Sequence, residues 1–568
     1  MKNQYKKLLA IWVSTSLTAF SPHFSLADGA AAGLEEIIVT ATLRDTTLME
    51  TPLSISAIGE DSMEQMGAES LEDLFRSVPG MNMYSQGVGR SRIVIRGISG
   101  QSTNYPGTQM GSTTGIYIDD VPMSSSMSPE YSTAGDTFDL NRVEVLKGPQ
   151  GTLFGEASQG GTIRYIYNKP NPEKFEAKVR VKYATGDDSG DSTRLDALVN
   201  IPFENGAVRL GAYTSEIGGY IDYEGTLGSK EDWNEGDTKG GRFSVLFESG
   251  NLTTQFSSIY AETETEGRNL SYSTPDDDNP YLDNGTLIVP YTAAASTFTG
   301  KAAPAADYFL EGKNLGASWS PGNDEEYQLH SLKFDLDTDV GTFTSITSYL
   351  DREVERRRPT NEESRFVIDV FTNGLTLNFA QGVFDSSGAE NCFFPCNGPD
   401  LVPVFGEQDE NFSNIFMAPY PDGQTVSSYQ SQVTGSTERL TQEFRFTAEP
   451  TEDLFYVAGL FYKDSEDERR TDLPITYFDA ERQALGQATV DSAGNEICSM
   501  ACGLAVEFES QTTEIEDISI YGEVTYQVDE NWSITAGARY SDLSKTIAIV
   551  GSEDFELEED FFTPKLNI

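Results

Sequence analysis

The feature that most constrains this chain is a period-two alternation of apolar and polar side chains that begins after Pro172. From Ala177 to Tyr183 the odd positions are apolar and the even positions are basic. Similar alternation recurs at residues 194–201, 243–248, 518–526 and 532–540. Successive side chains of a strand point to opposite faces, so each segment predicts a strand with one apolar and one polar face. We expect about eleven complete strands and the start of a twelfth at Phe562.

The connections between these segments alternate between short and long. Short links are expected at residues 203–207, 249–251, 337–341, 450–453 and 528–531, and long ones at about 264–325, 356–436 and 469–513. This alternation is typical of outer-membrane β-barrels. A soluble sandwich shows the same local pattern, but compact soluble domains rarely tolerate structureless connections of that size. An open sheet would leave its last strand unpaired in lipid, so we expect a truncated sequence that lacks about half of its barrel.

The first 27 residues are typical of a secretory signal. Three lysines precede an apolar stretch, Leu8–Phe20, and the small residues Ser25 and Ala27 suit a cleavage site. A buried helix of the mature protein is the alternative interpretation. The basic flank and the polar stretch that follows favour the signal.

Residues 51–170 mix helix and strand signals and predict a compact α+β domain. Ser70 can cap a helix that contains Leu71, Leu74 and Phe75 and that ends at Pro79-Gly80. Strands are expected at residues 54–58, 93–95, 115–121 and 143–146.

A short β-prone run precedes this domain in an otherwise polar, Gly/Ala-rich segment. It consists of Glu35, Glu36, Ile37, Ile38, Val39, Thr40, Ala41 and Thr42. Such a run can add as a strand to the sheet of a partner through backbone hydrogen bonds, which require an extended segment. The first strand of the following domain is the alternative.

Three longer motifs follow in a fixed order. They are Ile93–Ile98 with Gly115–Pro122, then Arg142–Gly155, then Gly160–Pro170. Together with the run at Glu35–Thr42, their order and spacing resemble the plug of TonB-dependent outer-membrane receptors, the family that includes ferric-siderophore receptors. The resemblance covers Glu35–Pro170 closely and the remainder only in general pattern.

The resemblance implies a membrane β architecture in which an α+β plug lies inside an antiparallel transmembrane β-barrel of about 22 strands, of which 11 to 12 are present here. Residues 1–27 would be the signal peptide, 28–50 the TonB-box region and linker, 51–170 the plug, and 171–568 a partial barrel with long extracellular loops. The TonB box would be Glu35–Thr42, and the inner-membrane TonB complex its partner.

The resemblance assigns plug-motif roles to Arg96, Gly97, Asp119, Asp120, Arg142, Glu144, Lys147, Gly148, Pro149, Gly151, Gly155, Gly160 and Gly161. The glycines permit tight turns and close backbone approach to the barrel wall. Two departures stand out: Lys147 replaces the arginine of many relatives, and Glu156-Ala157-Ser158 replaces Arg-Asn-Ala. Gln101–Met110 and Ser124–Tyr131 would be the apical loops that meet the ligand.

Charged positions on the polar faces suggest contacts between plug and barrel. In the family, plug arginines meet barrel glutamates. We therefore expect Arg96 and Lys147 to pair with Glu443 and Glu523; the alternative is that these groups only solvate the lumen.

The four cysteines occur as two close pairs, Cys392 with Cys396 and Cys498 with Cys502. An exported chain meets an oxidising compartment, so disulfides are expected, and we favour closure within each pair among the three possible connectivities. A zinc site is the alternative, but neither histidine lies near a pair, and we expect no metal site.

The chain is strongly acidic, with 39 Lys and Arg against 90 Asp and Glu and a net charge of −51. A solvated acidic surface is the simpler explanation, and a field that attracts cations or repels anions at the mouth is the other. The absence of a basic stripe argues against nucleic-acid binding. Asp276–Asp278 could bind calcium, although a solvated acidic run explains it as well.

The predicted function is TonB-dependent import of a scarce ligand across the outer membrane by a monomer in contact with outer-membrane lipid. No triad of catalytic side chains or nucleotide-binding loop is present, so we expect no enzymatic activity and no intrinsic cofactor. A ferric siderophore is the default ligand, and oligosaccharides, cobalamin and other metal chelates are alternatives. A passive porin or a surface adhesin is the alternative from another class, but neither needs a plug or a TonB box.

Overall fold

The structure, a computed structural model, describes residues 38–568 with gaps. The gaps are residues 45, 49–50, 52, 69–70, 86–90, 100–111, 125–136, 187–188, 221–222, 226–227, 233, 267–321, 360–424, 480–488, 491–495, 499–501, 530–531 and 550–553. The predicted signal peptide, apical loops, calcium run and Cys392/Cys396 pair lie outside the described residues, apart from Ser124 at the start of the second apical loop.

The described residues of the N-terminal domain form two helices and nine strands. The helices are α1 (Glu60–Met66) and α2 (Leu71–Phe75). The strands are β1 (Ile38–Val39), β2 (Thr46–Thr47), β3 (Ile55–Gly59), β4 (Met81–Ser85), β5 (Ser91–Ile95), β6 (Thr114–Ile118), β7 (Val121–Pro122), β8 (Leu140–Lys147) and β9 (Gly161–Tyr167).

A five-stranded sheet in the order β3-β8-β9-β6-β7 forms the centre of this domain. Its strands pair antiparallel except β6 and β9, which are parallel. The apolar side chains of β8 and β9 are almost fully buried and pack with Leu74 and Phe75 of α2. The mixed α+β prediction is therefore confirmed for the domain's fold.

The expected single strand at residues 115–121 is instead a hairpin of β6 and β7. Asp119 has a positive φ of 52° at the turn. Short polar side chains tolerate this left-handed conformation better than apolar ones, and the chain reverses at Asp119-Asp120. Helix α1 was not expected, because its only apolar residues are Met63 and Met66. Strand β9 was not expected either, although Ile163, Tyr165 and Tyr167 alternate along it.

Twelve antiparallel strands form the large sheet. They are β10 (Glu176–Gly186), β11 (Ser189–Phe203), β12 (Gly206–Ile217), β15 (Gly236–Ser249), β16 (Leu252–Glu266), β17 (Gly322–Thr338), β18 (Gly341–Pro359), β19 (Thr425–Thr451), β20 (Leu454–Asp479), β23 (Cys502–Asp529), β24 (Trp532–Ile549) and β25 (Phe555–Asn567). Two hairpins, β13 (Tyr223–Gly225) with β14 (Gly228–Lys230) and β21 (Thr489–Val490) with β22 (Glu496–Cys498), lie outside this sheet.

The faces of these strands follow the predicted alternation with the polarity of a membrane protein. Val179, Val181 and Ile520 are more than half exposed, at 69%, 73% and 57%, whereas Asp196 and Asn200 are fully buried. Apolar side chains therefore cover the outside of the sheet, and polar side chains face the N-terminal domain. No helix in the described part of the chain combines the length and apolar character needed to cross a membrane.

The predicted short links are confirmed, because each lies between strands that end and begin within two or three residues of it. The expected long connections at 356–436 and 469–513 are partly wrong, since β19, β20 and β23 extend into both ranges. Backbone pairing continues from Arg469↔Gln511 as far as Tyr477↔Cys502, which lengthens this hairpin beyond the alternating segment.

The N-terminal domain lies against the polar face of the large sheet. Its main apolar cluster includes Ile259, Tyr327 and Leu350 from β16, β17 and β18. A second cluster joins Tyr117, Leu146 and Phe154 to Phe455 and Tyr521 on β20 and β23. Burial of these side chains stabilises the contact between the two units by the hydrophobic effect.

Candidate functional site

The described part of the predicted TonB box is docked in the N-terminal domain. Ile38 and Val39 pair antiparallel with Thr47 and Thr46, so these two residues of the run form a short strand, which does not join the five-stranded sheet. Val39 and Ala41 are fully buried, while Ile38 is 54% exposed. Residues 35–37 of the box lie outside the described residues.

Thr40 is held by a buried cluster of three charged side chains on β8 and β9. Its backbone N–H donates to Glu144 Oε1 at 2.8 Å. Its hydroxyl accepts hydrogen bonds from Arg142 Nη2 at 3.0 Å and Arg164 Nη1 at 2.9 Å. Glu144 and Arg164 are directly opposite each other in the β8–β9 register, so both can reach Thr40 although they are distant from it in sequence.

Glu144 is the anion at the centre of this cluster. Its side chain is fully buried and accepts from Arg142 and Arg164, each at 2.8 Å. Burial alone would raise the pKa of Glu144, but the two guanidiniums and the Thr40 amide outweigh burial and lower it. The carboxylate is therefore ionised and tied to the box.

Arg164 also reaches toward the large sheet. Its Nη2 atom lies 3.2 Å from Asp120 Oδ1. The other oxygen of Asp120 lies 2.9 Å from Lys333 Nζ on β17 and 3.7 Å from Arg445 Nη2 on β19. Burial favours the neutral acid, but these cations hold the pKa of Asp120 well below its ordinary value.

Two other carboxylates of the N-terminal domain meet pairs of cations on the large sheet. Asp139, which has a positive φ of 63°, accepts from Arg209 Nε at 2.9 Å, and Arg242 Nη1 lies 3.4 Å away. Glu156 lies 3.2 Å from Lys463 Nζ and 3.6 Å from Arg439 Nη1. All four cations are at most 8% exposed.

Comparison with known proteins identifies the N-terminal domain. Residues 47–162 match the model of the TonB-dependent receptor plug domain. These residues therefore resemble the plug domain of TonB-dependent receptors. The N-terminal domain is accordingly called the plug below, and the large sheet the barrel wall.

The relatives support the same assignment over part of their length. The chain is 32% identical over 176 residues to the ferripyoverdine receptor of Pseudomonas aeruginosa, covering 30% of this chain and 19% of that protein. It is 30% identical over 190 residues to the ferrioxamine B receptor of Salmonella typhimurium, covering 33% and 24%. The chain thus matches less than a quarter of the length of either relative.

The fold comparison extends over nearly the whole chain. The structure of a siderophore receptor from Acinetobacter baumannii superposes with a TM-score of 0.55 at 17% identity, covering 92% of this chain and 62% of that structure. At this identity the likeness establishes the fold only. It confirms the predicted arrangement of a plug domain and an antiparallel barrel wall.

The structure corrects the predicted ion pairs between plug and wall. Arg96 donates to Ser54 at 2.6 Å, and Lys147 donates to Ser56 and to the Pro79 carbonyl. Both cations thus remain within the plug, where burial and neighbouring Arg96 lower the pKa of Lys147.

The two predicted wall partners pair with wall cations. Glu443 lies 3.5 Å from Arg445, and Glu523 lies 2.7 Å from Lys565. The observed polarity is the reverse of the expected one, since acidic plug residues meet basic wall residues. The physical reason is register: Glu443 and Arg445 are two apart on one strand face, so they pair locally.

The motif glycines divide into three pairs. Gly151 and Gly155 approach the wall, where an added Cβ would meet Thr563 and Arg539 respectively. At Gly160 and Gly161 the close neighbours are instead other plug residues. Gly97 and Gly148 have positive φ angles of 82° and 102°, as expected of tight turns.

A cavity of about 800 Å³ separates the box region from the barrel wall. Six cations and three carboxylates line it: Arg44, Arg142, Arg164, Lys169, Lys333, Arg445, Asp119, Asp120 and Glu449. Pro149, like the glycines beside it, follows β8 in the turn that leads toward the wall. Among the described residues no group of three or more His, Cys, Asp or Glu could hold a metal ion.

The structure leaves the predicted disulfides as a prediction. Cys392 and Cys396 lie outside the described residues. Cys498 ends β22 and Cys502 begins β23, so these two cysteines are close along the backbone.

Proposed function

We propose that this protein imports a ferric siderophore across the outer membrane, using energy delivered by the inner-membrane TonB complex. Its placement in the outer membrane after export, and a monomeric state, are part of the proposal. Support comes from the match of residues 47–162 to the plug-domain model and from two relatives that are named as the ferripyoverdine receptor and the ferrioxamine B receptor.

The observation that carries the proposal is the position of the box. A β-prone run precedes the plug and is anchored through Thr40 to the same charged cluster that contacts the wall through Asp120. A partner strand that paired with Glu35–Thr42 would take hold of the plug at this cluster. Strand addition needs backbone donors on the segment, and Ile38 is the exposed residue of the described part.

Replacing Ile38 with proline tests the coupling. Proline removes the backbone N–H while leaving the buried Val39 and Ala41 in place. We expect uptake of radioactive ferric iron, supplied as catecholate, carboxylate and hydroxamate chelates, to fall about tenfold, since about 1.4 kcal/mol of pairing is lost. Binding of the same chelates to the cell surface should be unchanged.

The matched control is Ile38→Val, which keeps the amide and the β propensity and should transport normally. Normal uptake by Ile38→Pro would refute coupling through the box. Uptake that persists after the inner-membrane proton gradient is dissipated would indicate a passive porin. Binding with no uptake in the wild type would indicate an adhesin.

A further inference from the structure

The plug conceals a cationic strip on the barrel wall. The strip consists of six side chains on β12, β15, β17, β19 and β20: Arg209, Arg242, Lys333, Arg439, Arg445 and Lys463. In the docked plug, Asp139, Asp120 and Glu156 each contact two of them. The strip is thus covered by three plug carboxylates.

Among the described residues, fewer wall carboxylates than cations lie within ion-pair distance of the strip. Glu176 lies 3.2 Å from Arg209, Asp335 lies 3.9 Å from Lys333, and Glu443 lies 3.5 Å from Arg445. In the described part of the chain, the carboxylates that meet the other three cations, Arg242, Arg439 and Lys463, belong to the plug. Six cations are therefore balanced by three wall acids and three plug acids, and plug withdrawal leaves a net charge of three positive units.

Some of these cations have spare donors even while the plug is docked. Arg242 is 8% exposed, and its Nε and Nη2 atoms have no hydrogen-bond partner. The contacts of Arg445 with Glu443 and Asp120 are long, at 3.5 and 3.7 Å. Lys333 and Arg445 also border the 800 Å³ cavity, so this part of the strip already faces open space.

We propose that the strip is the path of the transported ligand and that this ligand is an anion, such as a ferric chelate built from carboxylate or catecholate oxygens. This inference rests on the proposed import function and specifies its substrate class. Guanidinium groups bind carboxylates and similar oxyanions with directional, charge-assisted hydrogen bonds. An uncompensated positive strip on a low-dielectric protein wall attracts anions and repels cations.

Anion binding by the strip can be tested on the purified protein without any transport assay. An anion that binds only after plug withdrawal shifts the equilibrium toward the withdrawn state. We expect citrate to speed hydrogen exchange of the backbone amides next to Asp120, Asp139 and Glu156, where the docked plug meets the wall, relative to chloride at equal pH and ionic strength. The increase should be about tenfold when citrate is near ten times its dissociation constant.

Two triple variants separate charge from other effects of citrate. In Arg242→Gln/Arg439→Gln/Lys463→Gln the strip is neutral without the plug, and the ratio of exchange in citrate to exchange in chloride should fall toward one. In Arg242→Lys/Arg439→Lys/Lys463→Arg the charge is kept, and the ratio should remain high. Taking the ratio within each protein cancels any change in basal plug stability.

Equal exchange of the wild type in citrate and chloride would overturn the inference, as would equal ratios in the two triple variants. Neither result involves the TonB box, so the import proposal would stand or fall separately by the Ile38→Pro experiment. Energised uptake restricted to neutral or cationic chelates would also overturn the anionic assignment while leaving import intact.

Discussion

At the scale of single residues, Arg164 connects the box to the barrel wall. One guanidinium nitrogen binds Glu144 and Thr40, and the other binds Asp120, which in turn meets Lys333. The side chain is 2% exposed, so these interactions occur away from bulk water. A displacement of Thr40 therefore changes the partners of a side chain that also contacts the wall anchor.

Glu144→Gln should destabilise the plug by about 3–5 kcal/mol, because two buried guanidiniums would lose their shared counter-ion. Urea unfolding of the plug, followed by the exchange of β8 amides, measures the change. Glu204→Gln, at an exposed turn between β11 and β12, is the control and should have little effect. Equal unfolding midpoints for the two variants would show that the Glu144 cluster contributes no net stability.

The residues of this cluster could be selected from the sequence, but their partners could not. Arg142, Glu144, Asp119 and Asp120 belong to recognisable plug motifs, whereas pairing with Lys333 or Arg445 depends on how distant strands are aligned. For Glu156, the sequence indicated only that glutamate stands where many relatives have arginine, and it predicted no partner. Its contacts with Arg439 and Lys463 give that departure a physical role.

At the scale of elements, β8 and β9 form the structural centre of the plug. They pair with each other, with β3 on one side and with β6 on the other. Gly161 begins β9 where an added Cβ would press on the Leu146 carbonyl oxygen and lie 2.9 Å from Ile95 Cδ1. The close packing of the two strands at this point requires a residue without a side chain.

Gly161→Ala should destabilise the plug by about 1–3 kcal/mol through overpacking. Gly59→Ala is the matched control, because a Cβ at Gly59 would meet no atom within 4 Å. Thermal unfolding of both variants, monitored by near-ultraviolet circular dichroism, gives the comparison. A Gly161→Ala plug as stable as Gly59→Ala would contradict the packing argument.

At the scale of the whole molecule, alternation predicted the barrel wall better than motifs predicted the contacts inside it. The period of two fixed which side chains face outward, and Val181, Ile520 and Trp532 are indeed among the exposed apolar residues. It did not predict the ends of β19, β20 and β23, where backbone pairing continues beyond the expected strands; at the start of β19, residues 425–432 are mostly polar and give no apolar alternation.

Ile520→Lys tests the outward face. The side chain is 57% exposed on β23, and a lysine on the lipid-facing side near the membrane centre should cost about 2–4 kcal/mol of folding free energy. Urea titration of folding into lipid vesicles measures the cost, with Ile520→Leu as the control. A lysine variant as stable as the leucine variant would place this residue away from the hydrocarbon.

The hairpin of β1 and β2 also has a mechanical consequence. The two strands are antiparallel, and the register joins Ile38 to Thr47 and Val39 to Thr46. The end of β1 that continues to residue 37 therefore lies beside the end of β2 that leads into the plug. A pull directed away from the plug at that end breaks the two residue pairs of the hairpin one after the other. It does not strain both pairs at the same time, as a pull along the strand direction would. Once the hairpin is open, the next contacts that oppose the pull are the hydrogen bonds of Thr40 to Glu144, Arg142 and Arg164.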